Sequence, residues 1–337
     1  MKVHFVVGMP RAGTTFVVHR LNEHPAIAAF GESRFWGNDW IEPDDGGSYG
    51  AEGLGRVRAK FVANPLDTNV GEFGPEADRP GWMNHLGRPE LAALVADTID
   101  GITPPADPGA VFTAYAAAIA AAEGKQVAVE KTPHHVRHVD RIRRHLPDAR
   151  FVIMIRGPQE FLLSYKHKGD TTKRDEIRAR ADMRWQSVGV SLLWRSYLRH
   201  SLVAAERLGD AGLLVRNEDL DADPAGVLTA IQRHFGVDVV ELAAPRGDAR
   251  AAVPTNSSFV GERPRLAPAE QEWCRRLAAK DAAAAGYGIE PAHASVAAMA
   301  REGVGVVPWA VRNALDSPRW LEGSVVDYAR RALLGRG

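Results

Sequence analysis

Two segments of the sequence combine residue types that bind oxyanions. The first is a glycine loop with the spacing G-x-x-x-x-G, from Gly8 to Gly13, followed by Thr14 and Thr15. Between a strand and a helix, a loop of this spacing holds a phosphate group with its backbone N–H groups. The loop contains Arg11, and Thr14 stands where nucleotide triphosphatases place Lys. This pattern favours a phosphate ester or mixed anhydride bound without metal over a magnesium triphosphate. A loop that only joins a strand to a helix is the alternative.

The second segment begins where a predicted strand, 150–155, ends. Arg156 follows this strand, Pro158 suits the first helical position, and Ser164 comes eight residues after Arg156, about two helical turns later. The Arg and Ser side chains could hold a second phosphate group. The alternative is an Arg that pairs with a surface carboxylate and a Ser on a solvated helix face. Because both segments follow strands of one predicted sheet, we favour two anion sites.

Short buried strands that alternate with helices must position these segments. β-rich runs predict four strands, at 3–7, 127–130, 150–155 and 212–215. Helical patterns cover about 14–23 and 182–208. This alternation is typical of an α/β fold, and we expect a P-loop-containing nucleotide-binding fold with a central parallel sheet flanked by helices. Ligands of such sheets bind at the carboxyl ends of the strands.

Composition excludes several classes of protein. The 337 residues contain 42 Lys and Arg and 42 Asp and Glu, and this balance argues against a surface that coats nucleic acid. The single cysteine, Cys274, excludes an intramolecular disulfide framework. No apolar stretch approaches the roughly 20 residues that span a bilayer. Residues 3–9 are too short for a signal-peptide core, so we expect a cytoplasmic protein.

The chain length suits one large domain or two smaller ones. We predict one α/β domain over 1–288, and a helical C-terminal extension over 289–337 that packs on the same domain. Within the domain, 37–110 is rich in Gly, Pro, Asp and Trp and is interpreted as an irregular acceptor-binding insertion or lid. The aromatic residues Trp36 and Trp40 could line an acceptor pocket, or they could pin a long loop to the body of the protein.

Four segments, 7–25, 129–133, 150–167 and 214–224, form a set of motifs. Together they resemble the sulfotransferases that use 3′-phosphoadenosine 5′-phosphosulfate (PAPS), in particular the carbohydrate branch and many bacterial members. In order, they are similar to the family's 5′-phosphosulfate loop, its Glu-Lys-Ser/Thr-Pro element, its 3′-phosphate motif and its Glu-Asp-Leu segment. The resemblance spans residues 5 to about 240 and leaves 37–110 unmatched.

The resemblance implies which residues contact the nucleotide. The 5′-phosphosulfate would be bound by Pro10, Arg11, Ala12, Gly13, Thr14 and Thr15, and the 3′-phosphate by Arg156 and Ser164. Family members return a later loop over the nucleotide, which implies a contact from Arg263. We expect no metal, because phosphosulfate chemistry needs none and because no carboxylate or thiolate stands at ligand spacing beside the histidines at 134, 135 and 138.

The resemblance also implies catalytic residues. Glu32 matches the position of a general base, although a surface salt bridge is its alternative role. Arg34 stands where relatives often place His, and would orient the acceptor or hold Glu32 ionised. Lys131 would stabilise the leaving bridging oxygen or the sulfuryl group, and a solvated Lys is the alternative. Apart from the resemblance, acceptor contacts are expected from the aromatic residues Trp36 and Trp40 and from one of the pair His134–His135, for which we take His134.

The expected function is a sulfotransferase that moves the sulfuryl group of PAPS to a hydroxyl group of a small-molecule or glycoside acceptor. The product nucleotide would be adenosine 3′,5′-bisphosphate. An atypical P-loop kinase of a small molecule and a non-catalytic nucleotide-binding protein are the alternatives. We expect no nucleic-acid partner and no membrane span. The acceptor, which could be a sugar, lipid, nucleoside or phenol, and the oligomeric state, including a homodimer, stay open.

Overall fold

A computed structural model describes residues 1–37, 40–44, 47–63, 89–167, 185–242 and 265–316. Its sheet has five strands, which are β1 (Lys2–Gly8), β2 (Ile27–Gly31), β3 (Val127–Lys131), β4 (Phe151–Ile155) and β5 (Gly212–Arg216). Their order across the sheet is β2-β3-β1-β4-β5. Strand β1 pairs in parallel with β3 and β4, and β2 pairs in parallel with β3. The fold class is therefore the predicted one, a central parallel sheet flanked by helices.

Helices connect the strands and follow the last one. Among the described residues they are α1 (Thr14–Asn22), α2 (Ala51–Ala63), α3 (Pro89–Asp100), α4 (Pro108–Ala122), α5 (Val139–His145), α6 (Pro158–Lys166), α7 (Ser187–Leu208), α8 (Asn217–Ala222), α9 (Pro224–Phe235), α10 (Pro268–Ala284), α11 (Val296–Val304) and α12 (Val306–Asp316). Helices α1 and α4 both pack against β2 and β3. None of the described helices combines the length and the apolar character of a membrane-spanning segment.

Strand β1 forms the hydrophobic centre of the sheet. Phe5, Val6 and Val7 are fully buried. The Phe5 ring stacks on Phe112 and Phe151, with ring centroids 5.8 and 5.3 Å apart. A central strand of a parallel sheet is buried on both faces and is therefore mostly apolar, and the β-rich run 3–7 is the signal that predicts β1.

The strand order changes direction at β1. Strands β2 and β3 lie on one side of β1, and β4 and β5 lie on the other. In open parallel sheets, ligands bind outside the carboxyl ends of the strands at such a reversal. The loop that follows β1 and the carboxyl ends of the strands beside it are therefore the places to look for a site.

The chain divides into two compact units. The first unit contains Met1–Met154 and Val203–Thr255, and the second contains Ile155–Leu202 and Asn256–Gly337. The loop between β1 and α1 and the ends of β2 and β3 belong to the first unit. The assignment of 1–288 to one domain, with 289–337 as an extension on it, stays a prediction.

Within the second unit, the described part of the C-terminal extension contacts helix α7. The Ser187 hydroxyl donates a hydrogen bond to Glu302 Oε1 at 2.7 Å. A Cβ atom placed on Gly189 would lie 2.4 Å from the Trp309 ring. Glycine at this position lets α12 approach α7 closely.

The sequence patterns identify four of the five strands and miss β2. This strand, Ile-Ala-Ala-Phe-Gly, is fully buried, but alanine and glycine have low strand propensity, so its sequence carries little signal. The region 37–110 contains α2 and α3, which pack against each other. Its described part is therefore more helical than its glycine and proline content indicates.

Candidate functional site

The loop between β1 and α1 has the strand–loop–helix context that its motif requires. The Met9 N–H donates a hydrogen bond to Met154 O at 2.8 Å, so the end of β1 lies against β4. Gly8 has a φ of 122°, and a Cβ atom on it would lie 2.2 Å from Met154 O. Only glycine fits at this position, because a side chain would meet both an unfavourable φ and the backbone of β4.

The loop enters α1 through left-handed backbone conformations. Arg11 has a φ of 67° and Gly13 has a φ of 83°. Gly13 is the N-cap of α1 and forms no side-chain capping bond, and the first turn of α1 contains no acidic residue. The positive end of the helix dipole therefore faces the loop without a carboxylate in that turn. The partly exposed loop residues are Pro10, Arg11, Gly13 and Thr15, whereas Ala12 and Thr14 are buried.

Asn217 lies against this loop, although the strand that precedes it, β5, is at the edge of the sheet. It is the first residue of α8, directly after β5, and is 3% exposed. A Cβ atom on Gly13 would lie 2.6 Å from Asn217 Oδ1. The residue that follows β5 therefore packs directly against the N-cap of α1, a contact that the sequence analysis misses.

Lys131 and Glu32 form an ion pair at the carboxyl ends of β3 and β2. Lys131 Nζ donates to Glu32 Oε1 over 2.6 Å. Lys131 stands in register with Gly31 on one side and with Val6 on the other, so the pair lies at the same edge of the sheet as the loop after β1. The Lys131 side chain is 2% exposed and the Glu32 side chain is 31% exposed. Glu32 is therefore the member of the pair that a solute can reach.

Glycine before Glu32 lets the two strand ends approach. A Cβ atom on Gly31 would lie 2.5 Å from Lys131 O and 3.2 Å from Lys131 Cε. A larger residue at this position would displace the lysine chain that reaches Glu32.

The Glu130 carboxylate forms a buried network beside this pair. Glu130 is fully buried, and its Oε1 accepts hydrogen bonds from Ser33 N at 3.0 Å, Ser33 Oγ at 2.8 Å and Thr132 Oγ1 at 2.5 Å. His135 Nδ1 lies 3.1 Å from Glu130 Oε2. Burial alone would raise the pKa of Glu130, but attraction to His135 and hydrogen bonds from His135, Thr132 and Ser33 hold the pKa below its ordinary value.

Arg34 lies just beyond Glu32 in a left-handed conformation. It has a φ of 56°, its backbone N–H points at Thr132 Oγ1 over 3.4 Å, and its side chain is partly exposed. The segment that carries Glu32 and Arg34 is thus joined to the end of β3. The predicted role of Arg34 stays a prediction.

Trp36 and Trp40 pack into an aromatic cluster. Trp36 is fully buried, and its ring stacks on Trp40 at 5.6 Å and on His145 at 5.7 Å. Arg141 Nη1 donates to Trp36 O at 2.8 Å, and the Arg141 guanidinium carbon lies 4.5 Å from the centre of the Trp40 ring. This packing pins the start of the 37–110 region to α5, which is the alternative role that the sequence leaves open. Contact of either Trp with an acceptor stays a prediction.

His134 lies beside Gly37, at the start of the same region. A Cβ atom on Gly37 would lie 3.3 Å from His134 Cδ2, and the His134 and His138 rings are 5.5 Å apart. Burial, together with repulsion from neighbouring histidines and arginines, lowers the pKa of His138 to about 2. His138 is therefore neutral, and both histidines of the pair are partly exposed.

Arg156 and Ser164 belong to the second unit. Arg156 follows the last residue of β4, its side chain is 11% exposed, and its Nη2 lies 3.5 Å from Glu160 Oε2. Trp194 Nε1 donates to Arg156 O at 2.8 Å, which fixes the backbone at this point. Ser164 in α6 is fully buried. Arg263 lies outside the described residues, so its predicted contact has no structural counterpart here.

Metal-ligating side chains do not cluster in the described ranges. No group of three or more His, Cys, Asp or Glu residues there is arranged to hold a metal ion.

Sequence patterns do not indicate the Glu130 network that lies beside the Lys131–Glu32 pair. Ser33, Thr132 and His135 gather around Glu130, which the sequence analysis assigns no role. One sequence signal could have drawn attention to Glu130, because a carboxylate stands inside an otherwise apolar strand, Val-Ala-Val-Glu. Strand residues alternate between faces, so Glu130 and Lys131 point to opposite sides.

Comparisons with known proteins identify the family. The model of the sulfotransferase family matches residues 4–241. The nodulation protein NoeE of Sinorhizobium fredii (strain NBRC 101917 / NGR234) is 26% identical over 164 residues, which are 48% of this chain and 30% of NoeE. The match thus spans less than a third of that relative's length.

Two solved structures resemble the chain at low identity. The sulfotransferase domain from the Synechococcus PCC 7002 olefin synthase is 19% identical, with a TM-score of 0.48, over 86% of this chain and 96% of the other. A sulfotransferase from Alicyclobacillus acidocaldarius is 19% identical, with a TM-score of 0.42, over 84% of this chain and 93% of the other.

The family match contains most of β1, the glycine loop, the Lys131–Glu32 pair and the Glu130 network. It covers more than half of the 337 residues. The chain therefore belongs to the sulfotransferase family.

Proposed function

We propose that this protein transfers the sulfuryl group of PAPS to a hydroxyl group of a small-molecule or glycoside acceptor, without a metal ion and with Glu32 as the general base. The observation that carries the proposal is the ion pair between Lys131 Nζ and Glu32 Oε1, 2.6 Å long, at the edge of the sheet where the glycine loop follows β1. Sulfuryl transfer to a hydroxyl group requires a positive charge and a base close together. The buried cation and the reachable carboxylate are these two groups.

The residues of the loop fit the phosphosulfate end of the nucleotide. Gly8 and Gly13 bring the backbone against β4 and Asn217 at distances that no side chain would permit. The helix N-terminus supplies N–H donors and a positive dipole, and Arg11 supplies a guanidinium fork. We assign the 5′-phosphosulfate to residues 10–15 and, from the family resemblance, the 3′-phosphate to Arg156 and Ser164.

Glu32 and Lys131 have separate tasks in this proposal. When bound, PAPS supplies an activated sulfuryl group, with adenosine 3′,5′-bisphosphate as the leaving part. Glu32 accepts the proton of the acceptor hydroxyl group, and its partial exposure makes it reachable from solution. Lys131 holds Glu32 in place, and its ammonium group places positive charge where oxygens gain negative charge during transfer.

The acceptor is proposed to bind beside Glu32, within reach of Arg34, Trp40 and His134. Each of these side chains is partly exposed. A cationic, an indole and an imidazole group suit a hydroxylated molecule with an apolar part. Each of the three residues can be replaced by alanine and KM measured for a series of acceptors. The replacements that raise KM for a given acceptor then indicate its size and chemical class.

Isothermal titration calorimetry tests the nucleotide part of the proposal. Adenosine 3′,5′-bisphosphate should bind in EDTA, and the replacements Arg11→Ala and Arg156→Ala should each weaken binding at least about tenfold, as expected for a charge-assisted phosphate contact. ATP should bind no better with magnesium than without it. Tight binding of magnesium ATP together with no binding of the bisphosphate would instead favour a P-loop kinase.

A further inference from the structure

One oxygen atom, Glu130 Oε1, joins the ends of two strands. It accepts hydrogen bonds from Ser33, through both N–H and hydroxyl, and from the Thr132 hydroxyl. Ser33 is the second residue beyond β2, and Thr132 is the first residue beyond β3. The carboxylate thus ties together two chain segments that are 97 residues apart.

The residues that Glu130 holds are the sequence neighbours of the proposed catalytic pair. Glu32 lies between Gly31, which pairs with β3, and Ser33, which is bonded to Glu130. Lys131 lies between Glu130 itself and Thr132. Each member of the pair therefore stands between two residues that belong to the paired strands or to the Glu130 network.

The second oxygen of Glu130 is held as well. His135 Nδ1 lies 3.1 Å from Glu130 Oε2, and both side chains are fully buried. With hydrogen bonds to each oxygen the carboxylate has no freedom to rotate, so its position is set by the strand, the 3₁₀ helix Pro133–His138 and the segment after β2 together.

We propose that Glu130, held by His135, is a positioning residue that sets the geometry between Glu32 and Lys131. The inference rests on the proposed function, in which these two residues are catalytic. Glu130 points to the face of β3 opposite Lys131 and acts through Ser33 and Thr132, without touching the acceptor or the nucleotide. A network that served stability alone would affect folding but not the reactivity of the pair.

The first two variants of the test each remove a single hydrogen bond and leave the Glu130 carboxylate in place. Ser33→Ala removes one hydroxyl bond to Glu130, and Thr132→Val removes the other. We expect each to lower kcat about tenfold, because small displacements of reacting groups reduce rates by one to two powers of ten, while KM for PAPS changes less than about twofold. Glu130→Gln keeps the shape and can still accept at Oε1, so kcat should fall less than in Glu130→Ala.

Asn22→Ala is the matched control. The Asn22 side chain accepts a hydrogen bond from Ala29 N in β2 at 2.9 Å and contacts Lys125, so its removal also weakens the hold on this strand. It lies at the end of α1 and outside the proposed site. We expect a similar loss of thermal stability but a kcat within about twofold of the wild type.

A second background separates positioning from general damage. In Glu32→Gln, the pair no longer contains the base, so adding Ser33→Ala should lower the residual kcat by less than about twofold. A full tenfold loss in that background, or an unchanged kcat in Ser33→Ala, would overturn the inference.

A crystal structure of Ser33→Ala gives a readout that does not depend on turnover. If the Lys131 Nζ to Glu32 Oε1 contact is unchanged there, the inference fails even if the enzyme transfers sulfuryl groups, whereas an inactive wild type with a lengthened contact in the variant refutes only the proposed function.

Discussion

Glu32→Gln removes the proposed base while keeping its shape. The glutamine Oε1 can still accept the hydrogen bond from Lys131 Nζ, which spans 2.6 Å in the wild type. Loss of general base catalysis lowers rates by about 10² to 10⁴, which corresponds to about 3–5 kcal/mol in the activation free energy. Because Lys131 is 2% exposed and its contact with Glu32 would no longer be an ion pair, the free energy of unfolding should also fall, by about 1–2 kcal/mol.

Steady-state kinetics and urea unfolding measure these two effects separately. Binding of adenosine 3′,5′-bisphosphate should change less than about twofold, because Glu32 makes no contact in the proposed nucleotide site. The matched control is Glu23→Gln, since Glu23 also pairs with a mostly buried cation, Arg20, at 2.6 Å. That control should keep kcat. If Glu32→Gln retains the wild-type kcat, Glu32 is not the base and the reasoning is refuted.

Two further predictions concern the loop and the core. Gly13→Ala should lower the thermal stability and weaken bisphosphate binding, because its φ is 83° and the new Cβ would lie 2.6 Å from Asn217 Oδ1. Gly124→Ala, at a φ of 66° with open space around it, isolates the backbone strain of about 1–2 kcal/mol, and an equal loss in both variants would contradict the role of the Asn217 contact. Burial and the nearby Arg150 charge lower the pKa of His4 from 6.5 to about 4, so the unfolded chain binds a proton in that range that the folded chain does not. The contribution of neutral His4 to the free energy of unfolding is fully present above pH 6.5. As the pH falls toward 4, this contribution decreases by at most about 1.4 kcal/mol per pH unit. In His4→Gln this part of the pH dependence should disappear in urea unfolding measured from pH 7 to 4.5, and an identical slope in the variant would show that other groups cause it.

The sequence predicts the strands that are rich in β-branched residues. Phe5 to Val7 and Phe151 to Ile155 are continuous apolar runs, and each is followed by its motif at the expected strand end. Strand β2 escapes prediction because two of its residues are alanines and its last is glycine, and only its place beside β3 makes it a strand. Tertiary context decides such segments.

The candidate site also contains residues that the sequence indicates and contacts that it does not. Glu32, Lys131 and the glycine loop are recognisable because each stands in a short motif. The contacts of Glu130 with Ser33 and of Gly13 with Asn217 join residues far apart in the chain, and no local pattern indicates them. Composition alone does not assign a role to Trp36, because an aromatic residue before an insertion suits both a ligand pocket and a hydrophobic core. Its full burial in the structure favours a packing role.

The most direct test of the central claim is mass spectrometry of the reaction itself. The wild-type protein and Glu32→Gln are each incubated in EDTA with PAPS and a panel of hydroxylated sugars, lipids, nucleosides and phenols. We predict a sulfated product from at least one acceptor, formed in equal amount with adenosine 3′,5′-bisphosphate by the wild type and greatly reduced with the variant. A protein that sulfates no member of the panel, but phosphorylates one when given magnesium ATP, would contradict the account.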